Sequence, residues 1–432
     1  MNVLGYRCSL CGAEYALDAV PYICPQHGEA GNLDIVLDYA AIGRLTSPAQ
    51  IAASRDFSLW RYLPLLPVQD PGLAGTPLRN AGWTPLYRAD RLAQDLKLKH
   101  VFLKDDGRNP TASFKDRASA VVVARAREIG AATVTTASSG NAAAALAGMA
   151  ASAGLPTVIF VPHTAPQAKV TQLLMYGARV FLVQGTYDDA FDLTLEAARE
   201  FGWYCRNTGY NPFTREGKKT AAFEIAEQFT ALGSAGLAGA APKIWQVPDW
   251  VFVSVGDGNI ISGIHKGFQD MLALGWIDRL PKLVGIQAEG SPAVHDAWAS
   301  GGETIAPRPA ETIADSISVG LPRDGVRAVR AARETGGGYL TVSDREILHS
   351  MRALARHGAV FAEPAAATAY AGLGRAACDG LLHPDDSVVV VITGNGLKDI
   401  KSAIQAAAEP AVPVEPSLAA LRRALAGPPA NP

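Results

Sequence analysis

Apolar positions fall along this chain in two alternating rhythms: short unbroken blocks, and longer stretches that repeat every three to four residues. The blocks Val101–Lys104, Ala131–Ala137 (AATVTTA), Thr157–Val161 (TVIFV) and Arg179–Val183 (RVFLV) predict buried strands. Helical spacing runs through Asn141–Ala153, Ala168–Gly177, Asp188–Phe201 and Glu216–Leu232. A second series of blocks begins at Val251–Val255 (VFVSV), continues at Leu283–Ala288 and closes at Val388–Ile392 (VVVVI). Strands alternating with helices predict an α/β fold with parallel sheets covered on both faces. Two series predict two lobes, with a ligand cleft at the carboxyl ends of their strands.

Residues 1–34 lack such blocks and are rich in Cys, Gly and Tyr, which predicts a small module without its own core. Residues 35–410 are the expected two-lobed region, the smaller lobe lying at roughly 120–205. Residues 411–432 form a Pro/Ala-rich tail, expected to hold one short helix at most and then to be disordered.

Composition narrows the function class. The 432 residues are 48% hydrophobic and 19% charged, ordinary for a compact enzyme with a sizeable core. A formal net charge of −2 provides no basic field for nucleic acid or an anionic membrane. No apolar run approaches the roughly 20 residues of a membrane span, and the first residues show no basic-then-apolar leader. A cytoplasmic protein is expected.

Three of the five cysteines crowd the first 24 residues, in the pattern Cys8-x2-Cys11-x12-Cys24-x2-His27. Two ligand pairs, each separated by two residues, form the knuckles of a tetrahedral zinc site, and a Cys3His set is acceptable. Tyr6 and Tyr22 before the knuckles and Gly12 and Gly28 after them suit a structural zinc ribbon. Cys205 and Cys378 read as ordinary buried thiols, and His163, His265, His295 and His357 as structural or solvated.

Chemistry gathers at four turns. Asn109-Pro110-Thr111-Ala112-Ser113-Phe114-Lys115-Asp116-Arg117 follows the first strand and opens a helix. A partly buried lysine facing a helix N-terminus favours its neutral amine, which suits a Schiff-base nucleophile. Ser138-Ser139-Gly140-Asn141 follows a strand and aims N–H groups and hydroxyls at one point, a place for a carboxylate or phosphate. Gly256-Asp257-Gly258-Asn259-Ile260 lets backbone approach a phosphate ahead of another helix, without Walker or GxGxxG spacing. Thr393-Gly394-Asn395-Gly396 closes the last strand.

These motifs, in this order, resemble fold-type II pyridoxal-phosphate (PLP) enzymes, and threonine synthases in particular. The likeness runs from Trp83-Thr84-Pro85-Leu86 to Thr393–Asp399 and takes in Gln172, Tyr176-Gly177-Ala178, Gly185–Ala190 and Glu363-Pro364. It implies that Lys115 carries the cofactor as a Schiff base and shuttles protons, and that Asn141 meets the ring oxygen. It also implies that Gly256, Asp257, Gly258, Asn259 and Ile260 cradle the cofactor phosphate, and that Thr393 meets the pyridine nitrogen. Ser138 and Ser139 would hold the substrate carboxylate. The implied reaction converts O-phospho-L-homoserine and water to L-threonine and phosphate, in an enzyme that is commonly a homodimer. Some chains of this kind carry a similar N-terminal zinc ribbon.

Two departures stand out. The phosphate loop is one residue shorter than the family's and holds Asp257, a carboxylate that must point away from a phosphate or pair with a cation. The stretch Asn207-Thr208-Gly209-Tyr210-Asn211-Pro212-Phe213-Thr214-Arg215 has one extra residue before Asn211-Pro212. Thr214 therefore stands where the family has an arginine for the substrate phosphate. Arg215 is then the expected phosphate partner, beside Asn207 and Thr208, with Lys218 next. The alternatives are a β-elimination or β-replacement enzyme (a serine/threonine ammonia-lyase or a cysteate-synthase-like enzyme) and a regulatory homologue that binds PLP or an amino acid. The last has no need of a Schiff-base lysine, and Lys115, Asn141 and Thr393 are all present.

Overall fold

The block Val388–Ile392 lies inside the largest sheet with all of its side chains shut off from solvent. Burying a valine or isoleucine is worth about 1.5–3 kcal/mol each, so such a run fixes the centre of a fold. The computed structural model describes residues 2–18, 22–165, 167–233, 244–407 and 411–426.

The first strands are β1 (Val3–Cys8), β2 (Glu14–Tyr15) and β3 (Leu33–Leu37). Next come β4 (Leu86–Arg88) and β5 (His100–Asp105). Four shorter-range strands follow: β6 (Val134–Ala137), β7 (Thr157–Pro162), β8 (Arg179–Val183) and β9 (Tyr204–Cys205). The last are β10 (Trp250–Ser254), β11 (Lys282–Ala288), β12 (Gly338–Val342) and β13 (Ser387–Ile392).

Among the described residues the strands form three sheets. The large one runs β12-β11-β10-β13-β5-β4, parallel except for the edge strand β4. The small one runs β8-β7-β6-β9 and is wholly parallel. The predicted α/β fold with two parallel sheets is present. Chain order matters for the site: β5 pairs with β13 in the large sheet, so the small sheet is inserted between β5 and β10.

The helix Lys115–Glu128 packs against the helices Asn141–Ser152 and Phe213–Lys218, joining the two lobes through its buried faces. The stretch expected as one helix over Glu216–Leu232 is two, Phe213–Lys218 and Thr220–Gly233. The first starts early because the Asn211 side chain accepts from Phe213 N at 2.9 Å and Pro212 sits at a helical φ of −62°. The break at Lys219 lets Lys218 reach Asn259 while Lys219 pairs with Glu216 and Asp270.

The N-terminal strands form an antiparallel sheet, β2-β1-β3, whose third strand extends beyond residue 34. Its Tyr6, Leu33, Ile35 and Leu37 share one apolar core with the large region. In the tail, Leu418–Ala426 is helical, whereas residues 408–410 and 427–432, including the expected boundary and disordered end, lie outside the described residues. No helix among the described residues is long and apolar enough to cross a membrane. Cys205 is buried as expected, but Cys378 is exposed, because it ends the helix Pro364–Cys378 at the surface.

Candidate active site

Lys115 is delivered to the cleft by a tightly tied turn. The Asp116 carboxylate accepts from Thr111 N at 2.6 Å and from the Thr111 hydroxyl. Ala112 sits at a φ of +64°, a left-handed conformation that costs a non-glycine residue about 1–2 kcal/mol. Its carbonyl accepts from Asn395 N at 3.2 Å, and Phe114 N donates to Thr393 O at 2.8 Å. The lysine motif is thereby fastened to the turn after β13. The Lys115 amine has no hydrogen-bond or ion-pair partner among the described residues. Burial, and then the nearby Arg206 charge, hold its pKa below the ordinary lysine value.

An inner chamber is built on the turn after β10. It is lined by Lys115, Asn141, Thr208, Lys218, Gly256, Asp257, Gly258, Asn259, Ile260, Glu363 and Thr393, among others. Gly258 is the N-cap of the helix Asn259–Ala273 at a φ of +88°, and a Cβ there would come within 2.7 Å of the Ala328 Cβ. A Cβ on Gly256 would lie 2.9 Å from the Ile317 Cα. Only glycines let this backbone close around a ligand at a helix N-terminus. Lys218, fully buried, donates to Asn259 Oδ1 at 2.5 Å, and Asn259 Nδ2 donates to Asp324 Oδ2 at 2.6 Å. Burial, with Arg206 and Lys115 nearby, pushes the Lys218 pKa far below its usual value. Asp257 resolves its own conflict: its carboxylate accepts from Arg323 N at 3.4 Å, and the charges of Lys218, Lys115 and Arg323 all face it.

Beyond Lys115 lies an outer chamber of about 410 Å³, between the turn after β6 and the segment Asp315–Arg323. Ser138, Ser139, Gly140 and Asn141 form one wall, and Arg206, Thr208, Tyr187 and Arg323 line others. Lys115, Asn141, Thr208 and Asp257 belong to both chambers. Glu363 is buried beside Lys115 and accepts from Asn141 Nδ2 at 2.7 Å; burial raises its pKa to about 6. A free amine, a glycine cradle on a helix N-terminus and the buried nitrogen donors of Lys218 and Arg206 thus meet at one place.

Residues 78–394 match the family of pyridoxal-phosphate dependent enzymes. The chain is also 38% identical over 421 residues to a threonine synthase of Methanocaldococcus jannaschii, covering 97% of this chain and 98% of that one. The chain belongs to the threonine synthase family of PLP enzymes. A threonine synthase of Synechocystis is 37% identical over 374 residues, 84% of this chain and 89% of the other. The solved structure of threonine deaminase isoform 2 from Solanum lycopersicum superposes with a TM-score of 0.63 at 22% identity, over 81% of this chain and 87% of that one. That likeness shows the fold, fold type II. This threonine synthase-like chain is a PLP-dependent lyase. Its residues fit the cofactor: an unpartnered amine for the aldehyde and a glycine-lined helix N-terminus with Lys218 for the phosphate.

In this PLP enzyme, the structure brings Lys115, Asn141, Gly256, Asp257, Gly258, Asn259, Ile260 and Thr393 together in the inner chamber, and Ser138, Ser139 and Thr208 in the outer one. Two expected substrate residues line neither. Asn207 is turned into the structure, where its Oδ1 accepts from Thr136 Oγ1 at 2.9 Å and Ala137 N at 2.8 Å and so ties β9 to β6. Arg215 points to the N-terminal sheet, pairing with Asp34 and donating through Nε to Ser262 O at 3.1 Å. It bridges the N-terminal module and the large region and lines neither chamber. Arg206 and Glu363 went unrecognised as site groups. An arginine just past a strand reads as a solvated residue, and only the fold shows that it is fully buried.

In the N-terminal module, the ligand atoms of Cys8, Cys11, Cys24 and His27 all lie within 4.8 Å of one another. Cys8 and Cys24 are buried and the other two exposed, and their sulfurs lie 3.8 and 3.6 Å from His27 Nδ1. Such a group could hold a zinc ion in a closed tetrahedron.

Proposed function

We propose that this enzyme converts O-phospho-L-homoserine and water to L-threonine and phosphate. The observation that carries the reading is Lys115, an unpaired amine lining both chambers in a chain whose relatives are named threonine synthases. Bound PLP supplies the electron sink for negative charge developing on the substrate. Lys115 binds the cofactor, takes the α-proton once freed by substrate, and then assists loss of a β-proton. Its lowered pKa keeps a useful share of the amine neutral and able to accept a proton. Ser138, Ser139 and the N-terminus of the helix Asn141–Ser152 hold the substrate carboxylate. The backbone of Gly256–Ile260 and the Lys218 amine hold the cofactor phosphate. Asn141, steadied by Glu363, faces the ring oxygen. Thr393 offers the ring nitrogen a hydroxyl in place of a carboxylate, which suits elimination and replacement over transamination.

The same proposal includes a cytoplasmic homodimer and a zinc ion on Cys8, Cys11, Cys24 and His27. Sedimentation reports the oligomer, and a metal assay should find about one zinc per chain, lost on Cys8→Ser. The reaction is tested by giving purified holoenzyme O-phospho-L-homoserine, L-serine and L-threonine while following phosphate, threonine and ammonia. Phosphate and threonine should appear in equal amounts from the first compound. Ammonia from serine or threonine, without phosphate release from the first compound, would identify an ammonia-lyase instead.

A further inference from the structure

We propose that Arg206 is the receptor for the substrate's phosphate group, a phosphate monoester seat separate from the cofactor cradle. The inference rests on the reaction above and assigns a residue to it. A dianionic phosphate enclosed in a cleft needs a cation, and a guanidinium with free N–H groups serves better than an ammonium.

Pairing separates the arginine candidates. Arg215 is committed to Asp34 and never reaches the cleft. Arg323 lines the outer chamber, but its Nη1 pairs with Glu29 at 3.1 Å and its Nη2 with Asp188 at 3.2 Å. Arg206 is fully buried, and no carboxylate lies within 4 Å of it among the described residues. Its Nη1 donates to Thr208 Oγ1 at 2.8 Å and its Nε to Ser119 Oγ at 3.4 Å, while its Nη2 has no partner. A buried guanidinium left without a counter-charge calls for an anion.

Position supports the assignment. Arg206 N donates to Thr135 O at 2.8 Å, which continues the ladder of β9 and β6, so a strand end fixes the guanidinium. Arg206 lines the outer chamber with Ser138 and Ser139 but not the inner one; Lys218 lines the inner and not the outer. Each chamber therefore has a buried nitrogen donor of its own, the Lys218 amine in the inner and the Arg206 guanidinium in the outer. Thr214, at the arginine place of the resembling motif, donates its hydroxyl to Asn211 O at 2.8 Å and brings no charge. The cation has moved from the helix to the strand end.

The test uses holoenzyme, whose cradle is already filled, with inorganic phosphate as the probe. Wild type should bind phosphate by calorimetry, competitively with O-phosphohomoserine. Arg206→Gln should abolish that binding and raise KM about 100-fold or more, with cofactor absorbance and affinity unchanged. Arg206→Lys should recover part of the loss, because the charge returns without the fork. Should Arg206→Gln fail to fold, Thr208→Val, which removes the Nη1 partner, should still weaken phosphate binding about tenfold. Phosphate binding that survives both changes, or cofactor loss in Arg206→Gln, overturns the assignment. A wild type that binds phosphate yet leaves O-phosphohomoserine unchanged would sink the reaction while sparing the anion seat.

Discussion

Lys115 and Arg117 leave one helix two residues apart and enter opposite kinds of surroundings. Arg117 is fully buried in a closed network: Nε donates to Asp106 Oδ2 at 2.6 Å and Nη2 to Glu224 Oε2 at 2.8 Å. Lys104 completes it, donating to Glu224 Oε2 at 2.6 Å, so two cations face two carboxylates. Thr84 donates its hydroxyl to Asp106 at 2.6 Å, and Trp83 N donates to Glu224 at 2.7 Å. Lys115 instead shares the cleft with Lys218 and Arg206, two amines held below the ordinary lysine pKa beside one guanidinium, and the carboxyls of Asp257 and Glu363 are the facing acids. Burial raises the pKa of both acids, Glu363 to about 6, which weakens their neutralising power. A buried charge set that closes on itself holds the fold; a buried guanidinium left without an ion pair awaits an anionic ligand.

The sharpest break in this comparison is Lys115→Ala. Turnover should fall by about 10³-fold or more, since cofactor attachment and proton transfer are lost together. Stability of the apoenzyme should hold or rise, because a desolvated amine without a hydrogen-bond partner disappears. Borohydride reduction of wild type followed by peptide mapping should mark Lys115; a mark on another lysine defeats the assignment.

Glu224→Gln is the mirror experiment. It leaves Arg117 and Lys104 short of a counter-charge and should cost about 3–5 kcal/mol in denaturant unfolding. Burial alone would raise the Glu224 pKa, but Arg117 and Lys104 outweigh it and hold it at about 2. Its folded value lies below its usual one, so its stabilisation is full above about pH 4.5 and fades as pH falls toward 2, a swing of about 3 kcal/mol. An acid limb unchanged in Glu224→Gln would show the network contributes nothing.

Glu363 should respond with the opposite sign. Its folded pKa of about 6 lies above the usual carboxyl value, so its contribution to stability is largest at low pH and is lost as pH rises through 6. Between pH 5 and 8 apoenzyme should lose about 1 kcal/mol relative to Glu363→Gln, measured by denaturant titration. Parallel pH curves for the two proteins would remove Glu363 from the account of the cleft.

How much of this was legible in the sequence follows from how local each signal is. Val388–Ile392 and Asn141–Ala153 declare their structure through neighbours in the chain, and so does the lysine motif, whose turn residues precede a helix. The two-residue strand β9 leaves no periodic trace, being set by pairing with β6. The choice among arginines was hidden for a related reason. Arg215 finds its partner Asp34 at a sequence distance of 181 residues, and Arg206 is distinguished by having no such partner. Spacing could name the motif that carries the substrate residues. It could not say which cation was already neutralised.

Arg215→Ala completes the comparison with the smallest effect. Asp34 is held at about 2 although burial pushes it upward, because Arg215 and then Arg327 face it. Arg327 still donates to Asp34 at 2.7 Å and to Asn32 Oδ1 at 3.1 Å, so the N-terminal sheet keeps a cationic tether without Arg215. Arg327 also pairs with Asp324, whose carboxylate accepts from Asn259 in the wall of the inner chamber, so the N-terminal sheet reaches the cleft through an intact path. The variant should therefore lose about 1–2 kcal/mol of stability, in the range of one charged hydrogen-bonded pair. KM for O-phosphohomoserine should stay within about threefold of wild type, since no atom of Arg215 lines either chamber. A hundredfold rise in KM with unchanged stability would reverse the roles of Arg215 and Arg206 and would mean that a paired arginine, not the unpaired one, meets the substrate.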